Sequence, residues 1–166
     1  MTNGRVAICP GTYDPVTYGH LDIIARAANV FDRVIVGVVN QPTRKQQTVF
    51  SGEERMAFLQ QAVAAQANVE VEVFSILLVE FAREHGAGVI VKGLRAISDF
   101  EYEFEMNQLN RKLAPEIESV YIIASPDYSF LSSTGVKEMA TFGADVSDLV
   151  PPPVAEALVE RLRRSR

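Results

Sequence analysis

The stretch that decides the fold lies near the start of the chain, where residues 6–30 read VAICPGTYDPVTYGHLDIIARAANV. Residues 6–9 form an apolar, β-branched run that is too short for a helix and is typical of a buried strand. In residues 19–30, apolar side chains recur at the spacing of one helix face, at Leu21, Ile24, Ala25 and Ala28. The chain is therefore predicted to begin with a strand, a loop of turn-forming residues and an amphipathic helix.

The same alternation of strand and helix continues along the chain. Further short β-branched runs lie at 33–39, 69–74, 89–91 and 119–124, and helical patterns lie at 53–66, 76–85, 99–113, 133–142 and 154–163. Two helix starts resemble capping boxes, Ser51 with Glu54 and Ser98 with Glu101. Because parallel neighbours need a crossover, the pattern predicts one α/β domain over residues 1–166. We expect a Rossmann-like open sheet of five parallel strands with helices on both faces.

Composition excludes several classes of function. The chain has 166 residues with 16 basic and 21 acidic side chains, a net charge of -5, so we expect no nucleic-acid partner. One cysteine cannot form an intramolecular disulfide or a cysteine-rich metal framework. No run approaches the roughly 20 apolar residues of a membrane-spanning helix, and no signal-peptide core follows the N-terminus. The sequence is that expected of a soluble cytoplasmic protein without a membrane partner.

Familiar nucleotide and metal motifs are missing. The glycines never produce the dinucleotide-binding spacing G-x-G-x-x-G, and none opens a P-loop. Two histidines and one cysteine argue against zinc. His85 follows a helical run and precedes Gly86, where a favourable interaction with the helix C-terminus explains it. Chemistry is therefore expected at the loops after the strands, where ligands bind in open parallel sheets.

The loop after the first strand opens directly into a helix. Such a place exposes backbone N–H groups at the positive end of the helix dipole, and both favour an anion. Gly19 lets a phosphate approach the backbone closely, and His20 on the first turn can aim a ring nitrogen at it. A histidine that merely caps the helix start is the alternative. The residues alone leave both interpretations open.

Four blocks of sequence, taken together, resemble a known family. They are TYGH at 17–20, KGLR at 92–95, DFEYE at 99–103 and YSFLSSTGVKE at 128–138. The first is similar to the T/H-x-G-H signature of the nucleotidyltransferase superfamily. All four, in this order and over nearly the whole chain, resemble the bacterial phosphopantetheine adenylyltransferases.

The resemblance implies transfer of AMP from ATP to 4'-phosphopantetheine, giving dephospho-coenzyme A and pyrophosphate in coenzyme A biosynthesis. It further implies Mg²⁺ held mainly through the ATP phosphates with no metal ligands from the protein, a homohexamer, and coenzyme A as a feedback ligand. The attacking phosphate is already ionised near neutral pH, so no side chain needs to act as a base. Catalysis then reduces to positioning and charge stabilisation.

Residue roles follow from the same resemblance. The catalytic residues would be His20, Thr12, Lys45 and Arg95. His20 would donate to the α-phosphate as charge builds there, and Thr12 would hold the incoming phosphate in line. Arg44 is the alternative to Lys45, because this loop is longer than usual in the family.

The same resemblance implies the expected ligand contacts. ATP would be bound by Thr12, Tyr13, Gly19, His20, Gly93, Leu94, Arg95, Glu103, Tyr128, Ser129, Phe130, Leu131, Ser132, Ser133 and Thr134. The acceptor would be bound by Thr12, Lys45, Leu78 and Lys92.

Plainer interpretations accompany several of these residues. Lys92 and Arg95 suit a solvated loop, and Glu103 suits a surface salt bridge. Leu78 suits the apolar core, and one serine of the 132–134 run suits an N-cap.

Three positions depart from the family pattern. Lys92 stands where many members have arginine, Gly135 follows the hydroxyl run in place of an aliphatic residue, and Ile76 replaces a small or acidic residue.

Two other functions remain as alternatives. One is a related nucleotidyltransferase acting on another phosphorylated small molecule, and the other is a non-catalytic adenine-nucleotide sensor. Thr12 and His20 speak against the sensor, because binding alone does not need transition-state stabilisation. For the hexamer, the apolar runs at 89–91 and 109–113 are candidates for subunit contacts.

Overall fold

A computed structural model describes residues 5–43 and 47–163. Its five strands are β1 (Val6–Gly11), β2 (Arg33–Val39), β3 (Val69–Phe74), β4 (Val89–Leu94) and β5 (Glu118–Ile123). They form one parallel sheet in the order β3-β2-β1-β4-β5. The helices are α1 (Tyr18–Ala28), α2 (Gly52–Ala62), α3 (Leu78–Glu84), α4 (Ile97–Leu113), α5 (Ser133–Thr141) and α6 (Pro152–Arg163), with a 3-10 turn at Pro126–Tyr128. The predicted Rossmann-like fold is confirmed.

The sheet separates two apolar cores, because successive strand residues point to opposite faces. Ala7 and Cys9 face a core shared with α1, α2, α5 and α6. Ile8, between them in sequence, faces a second core shared with α3. Cys9 is 2% exposed, and burial raises its pKa to about 12. Both faces are covered, which explains why the central strands are apolar along their length rather than alternating.

Strand order reverses between β1 and β4. From β1 the chain adds β2 and β3 on one side, then returns to place β4 and β5 on the other. Ala7 pairs with Val89 and Ile8 with Ile90, so the two strands run side by side where the order changes. In open α/β sheets the crevice beyond the carboxyl ends of such strands is the usual ligand site. The loops after β1 and β4 therefore meet where a ligand is expected.

Several predicted boundaries need correction. The capping box of Ser51 and Glu54 is confirmed at the start of α2. The one predicted from Ser98 is wrong, because α4 begins at Ile97 with Ala96 as its N-cap and no side-chain capping bond. The Asp99 carboxylate instead reaches back to accept from the Arg95 backbone N–H at 3.2 Å. Strands β1 and β4 also run further than predicted, since their ladders with β2 and β5 continue through turn-forming residues.

One of the two candidate subunit contacts is also wrong. The run at 89–91 belongs to β4 and is covered inside the chain, between β1 and β5. The other run remains available, because Leu109 and Leu113 on α4 are 50% and 53% exposed. Within the described ranges, no helix is long and apolar enough to span a membrane.

Candidate active site

The start of α1 fixes the orientation of His20. Thr17 is the N-cap, and its side chain accepts from the His20 backbone N–H at 3.4 Å. In return the His20 Nδ1 accepts from the Thr17 backbone N–H at 3.0 Å, completing a capping box with histidine in the third position. An Nδ1 that accepts places the hydrogen of the neutral imidazole on Nε2. Capping uses Nδ1 and the predicted anion contact would use Nε2, so the two interpretations of His20 are compatible.

The Tyr13 ring packs against the His20 imidazole. The two rings meet edge to face, with the centroids 5.0 Å apart. The Tyr13 hydroxyl donates to the Cys9 carbonyl at 2.9 Å, and burial raises the pKa of that hydroxyl. A Cβ at Gly11 would come within 2.9 Å of the same ring, so glycine is needed there. The Tyr13 side chain belongs to the core, which limits its predicted nucleotide contact to the main chain.

Arg55 joins three segments around the site. It lies on α2, is 1% exposed, and gives every bond to backbone carbonyl oxygens. Its acceptors and distances are Thr12 at 2.7 Å, Val39 at 2.8 Å, Asn40 at 2.9 Å, Phe50 at 3.1 Å and Ser51 at 3.2 Å. Burial lowers its pKa. The loop after β1, the end of β2 and the start of α2 are therefore held by one guanidinium.

Asp14 is fully buried and links the loop after β1 to the start of α2 and to α5. Its carboxylate accepts from the backbone N–H groups of Val49 and Phe50, both at 3.0 Å. It also accepts from the Lys137 ammonium of α5 at 3.0 Å. Sequence reasoning assigned no role to Asp14, Arg55 or Lys137. Arg55 shares a buried face of α2 with Gly52 and Leu59, and no motif in the sequence marks it.

Two cations near the carboxyl end of β4, Lys92 within the strand and Arg95 just after it, are paired with carboxylates of α4. The Lys92 Nζ lies 3.0 Å from Glu103 Oε2 and 3.2 Å from Oε1. The Arg95 Nε donates to Asp99 at 3.1 Å, and its Nη1 donates to the Leu131 carbonyl at 2.7 Å. Asp99 and Glu103 are four residues apart and share one helix face. The salt-bridge interpretation of Glu103 therefore describes this structure.

The hydroxyl groups of Ser132 and Ser133 at the start of α5 form hydrogen bonds within the chain. Ser132 is the N-cap and its Oγ accepts from the Gly135 backbone N–H at 3.0 Å. A Cβ on Gly135 would approach that oxygen to 3.2 Å, so the glycine leaves room for the cap. Ser133 is buried and its hydroxyl donates to the Pro15 carbonyl at 2.8 Å. Because this hydroxyl hydrogen is already donated to Pro15, the predicted phosphate contact of Ser133 would be made by backbone N–H groups at the start of α5.

The remaining predicted contacts divide between core and surface. Leu131 is buried and reaches the site through its carbonyl, whereas Phe130 and Ser129 are exposed and Tyr128 is half-buried. Leu78 packs partly against the α3 core, so its core interpretation holds. The neighbouring Leu77 is 55% exposed and offers more apolar surface at this strand end.

These contacts bring the loops after β1, β4 and β5 together. Ser133 touches the first loop, and Arg95 ties the second to the third. A Cβ at Gly19 would lie 3.5 Å from the Tyr128 Cβ, which places the third loop against the start of α1. The predicted residues Lys45 and Arg44 lie outside the described part of the chain.

Among the residues that the structure describes, no group of three or more His, Cys, Asp or Glu side chains could hold a metal ion. The carboxylates near the loops already have partners: Asp14 has Lys137, Asp99 has Arg95, and Glu103 has Lys92.

Known proteins share this chain's sequence over nearly its full length. A family model described as Cytidylyltransferase-like matches residues 8–139. A phosphopantetheine adenylyltransferase from Caldanaerobacter subterraneus subsp. tengcongensis is 50% identical over 161 residues, covering 97% of this chain and 99% of that protein. Another from Alkaliphilus metalliredigens is 49% identical over 157 residues, covering 95% and 99%.

The fold likeness reaches further than the sequence likeness. A crystal structure from Vibrio parahaemolyticus, described as a nicotinate-nucleotide adenylyltransferase, superposes with a TM-score of 0.71 at 19% identity, covering 98% of this chain and 96% of that one. At that identity the likeness concerns the fold alone. The two phosphopantetheine adenylyltransferases match at about half identity over nearly the full length of this chain. This chain therefore belongs to the phosphopantetheine adenylyltransferase family.

Proposed function

We propose that this protein transfers AMP from ATP to 4'-phosphopantetheine, producing dephospho-coenzyme A and pyrophosphate. An oxygen of the acceptor phosphate attacks the α-phosphorus of ATP. The bond from that phosphorus to the oxygen bridging the β-phosphate breaks, and pyrophosphate leaves with the electron pair. The observation that carries the proposal is His20, fixed as an Nε2–H donor at the start of α1 beside the strand-order reversal.

His20 stabilises the charge that builds on the α-phosphate during transfer. Its Nε2–H donates to a non-bridging oxygen, and the positive end of α1 adds to the effect. The donor is oriented before substrate arrives, so little reorganisation accompanies the reaction. Thr12 holds the acceptor phosphate in line, in a loop whose carbonyl is anchored by Arg55.

The two substrates meet across the carboxyl ends of β1 and β4. Lys92 binds the acceptor phosphate, and Arg95 with the main chain of Gly93 and Leu94 binds the ATP phosphates. Main-chain N–H groups before and within α5 bind the outer phosphates. Lys45, or Arg44 in its place, reaches the reacting phosphates. This assignment of residues is supported by the four sequence blocks and by the contacts that join their loops.

Mg²⁺ accompanies the nucleotide, bound mainly by phosphate oxygens and water. When bound, it would neutralise charge on the phosphates. The engaged carboxylates Asp14, Asp99 and Glu103 support this assignment over a protein-held metal.

Further features of the proposal concern assembly and regulation. The chain forms a homohexamer, and the half-exposed apolar residues of α4, Phe100, Phe104, Leu109 and Leu113, support a subunit contact on that helix. Coenzyme A, which shares the pantetheine arm of the acceptor, acts as a feedback ligand. An ATP-dependent step and a single cysteine left as a thiol support a cytoplasmic location.

A coupled assay of pyrophosphate release tests the reaction. Release is expected only when ATP and 4'-phosphopantetheine are both present with Mg²⁺. Tight ATP binding without turnover would contradict the proposal and favour a nucleotide sensor. Faster turnover with another phosphorylated acceptor, such as nicotinate mononucleotide, would contradict it in favour of a related transferase.

A further inference from the structure

Lys92 and Glu103 form an ion pair at the point where the acceptor phosphate is expected. Both side chains are largely covered, with 21% and 15% exposure, and both carboxylate oxygens lie near the ammonium, at 3.0 and 3.2 Å. The Tyr121 hydroxyl donates to the Glu103 carbonyl at 3.2 Å and fastens this turn of α4 to β5. Tyr121 is also the register partner of Lys92 in the sheet. The pair is therefore held by the fold on both sides.

An ammonium with a carboxylate at contact distance presents little net charge to a dissolved anion. The partial burial of the pair keeps salt and water from screening it as strongly as a surface pair. A phosphate that binds Lys92 must either displace Glu103 or lie beside its negative charge. Displacing Glu103 breaks an ion pair, and binding beside it brings two negative charges together, so either mode of binding costs free energy. An anion that makes no other contacts has nothing to offset that cost.

We propose that Glu103 is a specificity-determining residue that masks Lys92 against small anions. An acceptor with a long arm overcomes the mask through its other contacts, whereas inorganic phosphate does not. This inference rests on the proposed function, since it concerns the cation assigned to the acceptor phosphate. Its consequence is a site that stays available in a phosphate-rich solution.

Binding of inorganic phosphate to the ligand-free protein tests the mask, measured by isothermal titration calorimetry. Glu103→Gln is expected to bind phosphate about tenfold more tightly than the unaltered chain, because one opposing charge is removed at contact distance. Glu116→Gln is the matched control. It also removes one negative charge, from the Arg83 pair, and should leave phosphate affinity unchanged.

A double substitution shows whether the gain passes through Lys92. Adding Lys92→Met to Glu103→Gln should abolish the gain. Equal phosphate affinity in the Glu103→Gln and unaltered chains would overturn the proposal, as would a gain that survives loss of Lys92. If Glu103→Gln lowers the unfolding midpoint, Glu103→Asp provides a second variant, and its shorter carboxylate should give a smaller gain of the same sign.

Steady-state inhibition then places the effect on one substrate. Inorganic phosphate should inhibit Glu103→Gln more strongly than the unaltered enzyme, in competition with 4'-phosphopantetheine. Competition with ATP alone would overturn the assignment. Calorimetry needs neither nucleotide nor turnover, so a failure of the proposed reaction is seen separately, as missing pyrophosphate release with the phosphate result intact.

Discussion

The two halves of the site hold their charges in different ways. Near β1 and β2, Arg55 and Asp14 are fully buried and bind mainly backbone groups. Near β4, Lys92 and Arg95 are partly exposed and pair with carboxylates of α4. A buried charge whose partners belong to the main chain cannot be exchanged without disturbing the fold. A partly exposed pair of side chains can exchange one partner for a ligand, so we assign the first half to the framework and propose the second as the recognition half.

The largest effect is expected from removing the framework charge. Arg55→Met should lower the free energy of unfolding by about 3–5 kcal/mol, because buried carbonyl oxygens lose their donors. Chemical denaturation measures the change. Arg83→Met is the control, since that arginine is exposed and its removal should shift the midpoint little. Similar losses in both variants would contradict the distinction between the two halves.

Loss of His20 should leave the fold but not the reaction. We expect His20→Ala to lower kcat roughly 100- to 1,000-fold with a much smaller change in ATP affinity, because the donor acts mainly in the transition state. His20→Gln separates the two roles, since the glutamine Oε1 can complete a capping box but glutamine lacks the imidazole ring that orients the Nε2–H donor. Turnover in each variant is compared with ATP binding measured by calorimetry.

The matched histidine control is His85→Ala, which should keep normal turnover. His85 pairs with Glu72 and packs on Phe81, away from the joined loops. Equal losses of ATP binding and turnover in His20→Ala would show that this residue only binds the nucleotide.

On the recognition side, Lys92→Met should raise the KM for 4'-phosphopantetheine about tenfold, as expected for one partly screened phosphate contact. The KM for ATP and the unfolding midpoint should change little. Lys112→Met removes an equal charge from the end of α4 and serves as the control. A large loss of stability in Lys92→Met would instead place this cation in the framework.

The smallest effect concerns pH at the start of α2. The Ser51 backbone N–H, helped by Arg161, holds the pKa of Glu54 below its usual value of 4.5. The unfolded chain therefore takes up this proton first, and the stabilisation is lost as pH falls through the folded pKa. We expect only a few tenths of a kcal/mol, because the side chain is partly exposed.

Urea denaturation between about pH 3 and pH 6 measures this contribution. Glu54→Gln keeps a capping-box residue but removes the titration, so its stability should depend less on pH. An unchanged pH dependence would mean that the Glu54 contacts add nothing measurable.

Much of the fold could be predicted because strand and helix periods differ and alternate along the chain. The loops of the site were predicted for the same reason, since parallel strands bring their carboxyl ends to one edge. Arg55 was missed because its acceptors are main-chain carbonyls, which leave no residue type or spacing to recognise. Asp14 looked like part of an ordinary turn, as Asp-Pro pairs often are.

The orientation of individual side chains is the other property that the sequence does not predict. Ser132 and Ser133 are adjacent and chemically alike, and only the backbone geometry directs one hydroxyl to the helix cap and the other to Pro15. At the start of α4, the Asp99 carboxylate accepts from the Arg95 backbone N–H, a contact that residue type and spacing did not predict. The sequence alone therefore indicates which loops form the site but not which atoms they present.

The position of Cys9 in β1 has a consequence for thiol chemistry. The thiolate is the species that attacks disulfides and alkylating reagents. Burial raises the pKa of Cys9 to about 12, so nearly all of this thiol is protonated at neutral pH. The arm of 4'-phosphopantetheine ends in a thiol, so a reactive cysteine here would become trapped in mixed disulfides whenever that arm is oxidised. Because Cys9 is buried inside the sheet, we expect no bond exchange between it and the thiol of the proposed acceptor.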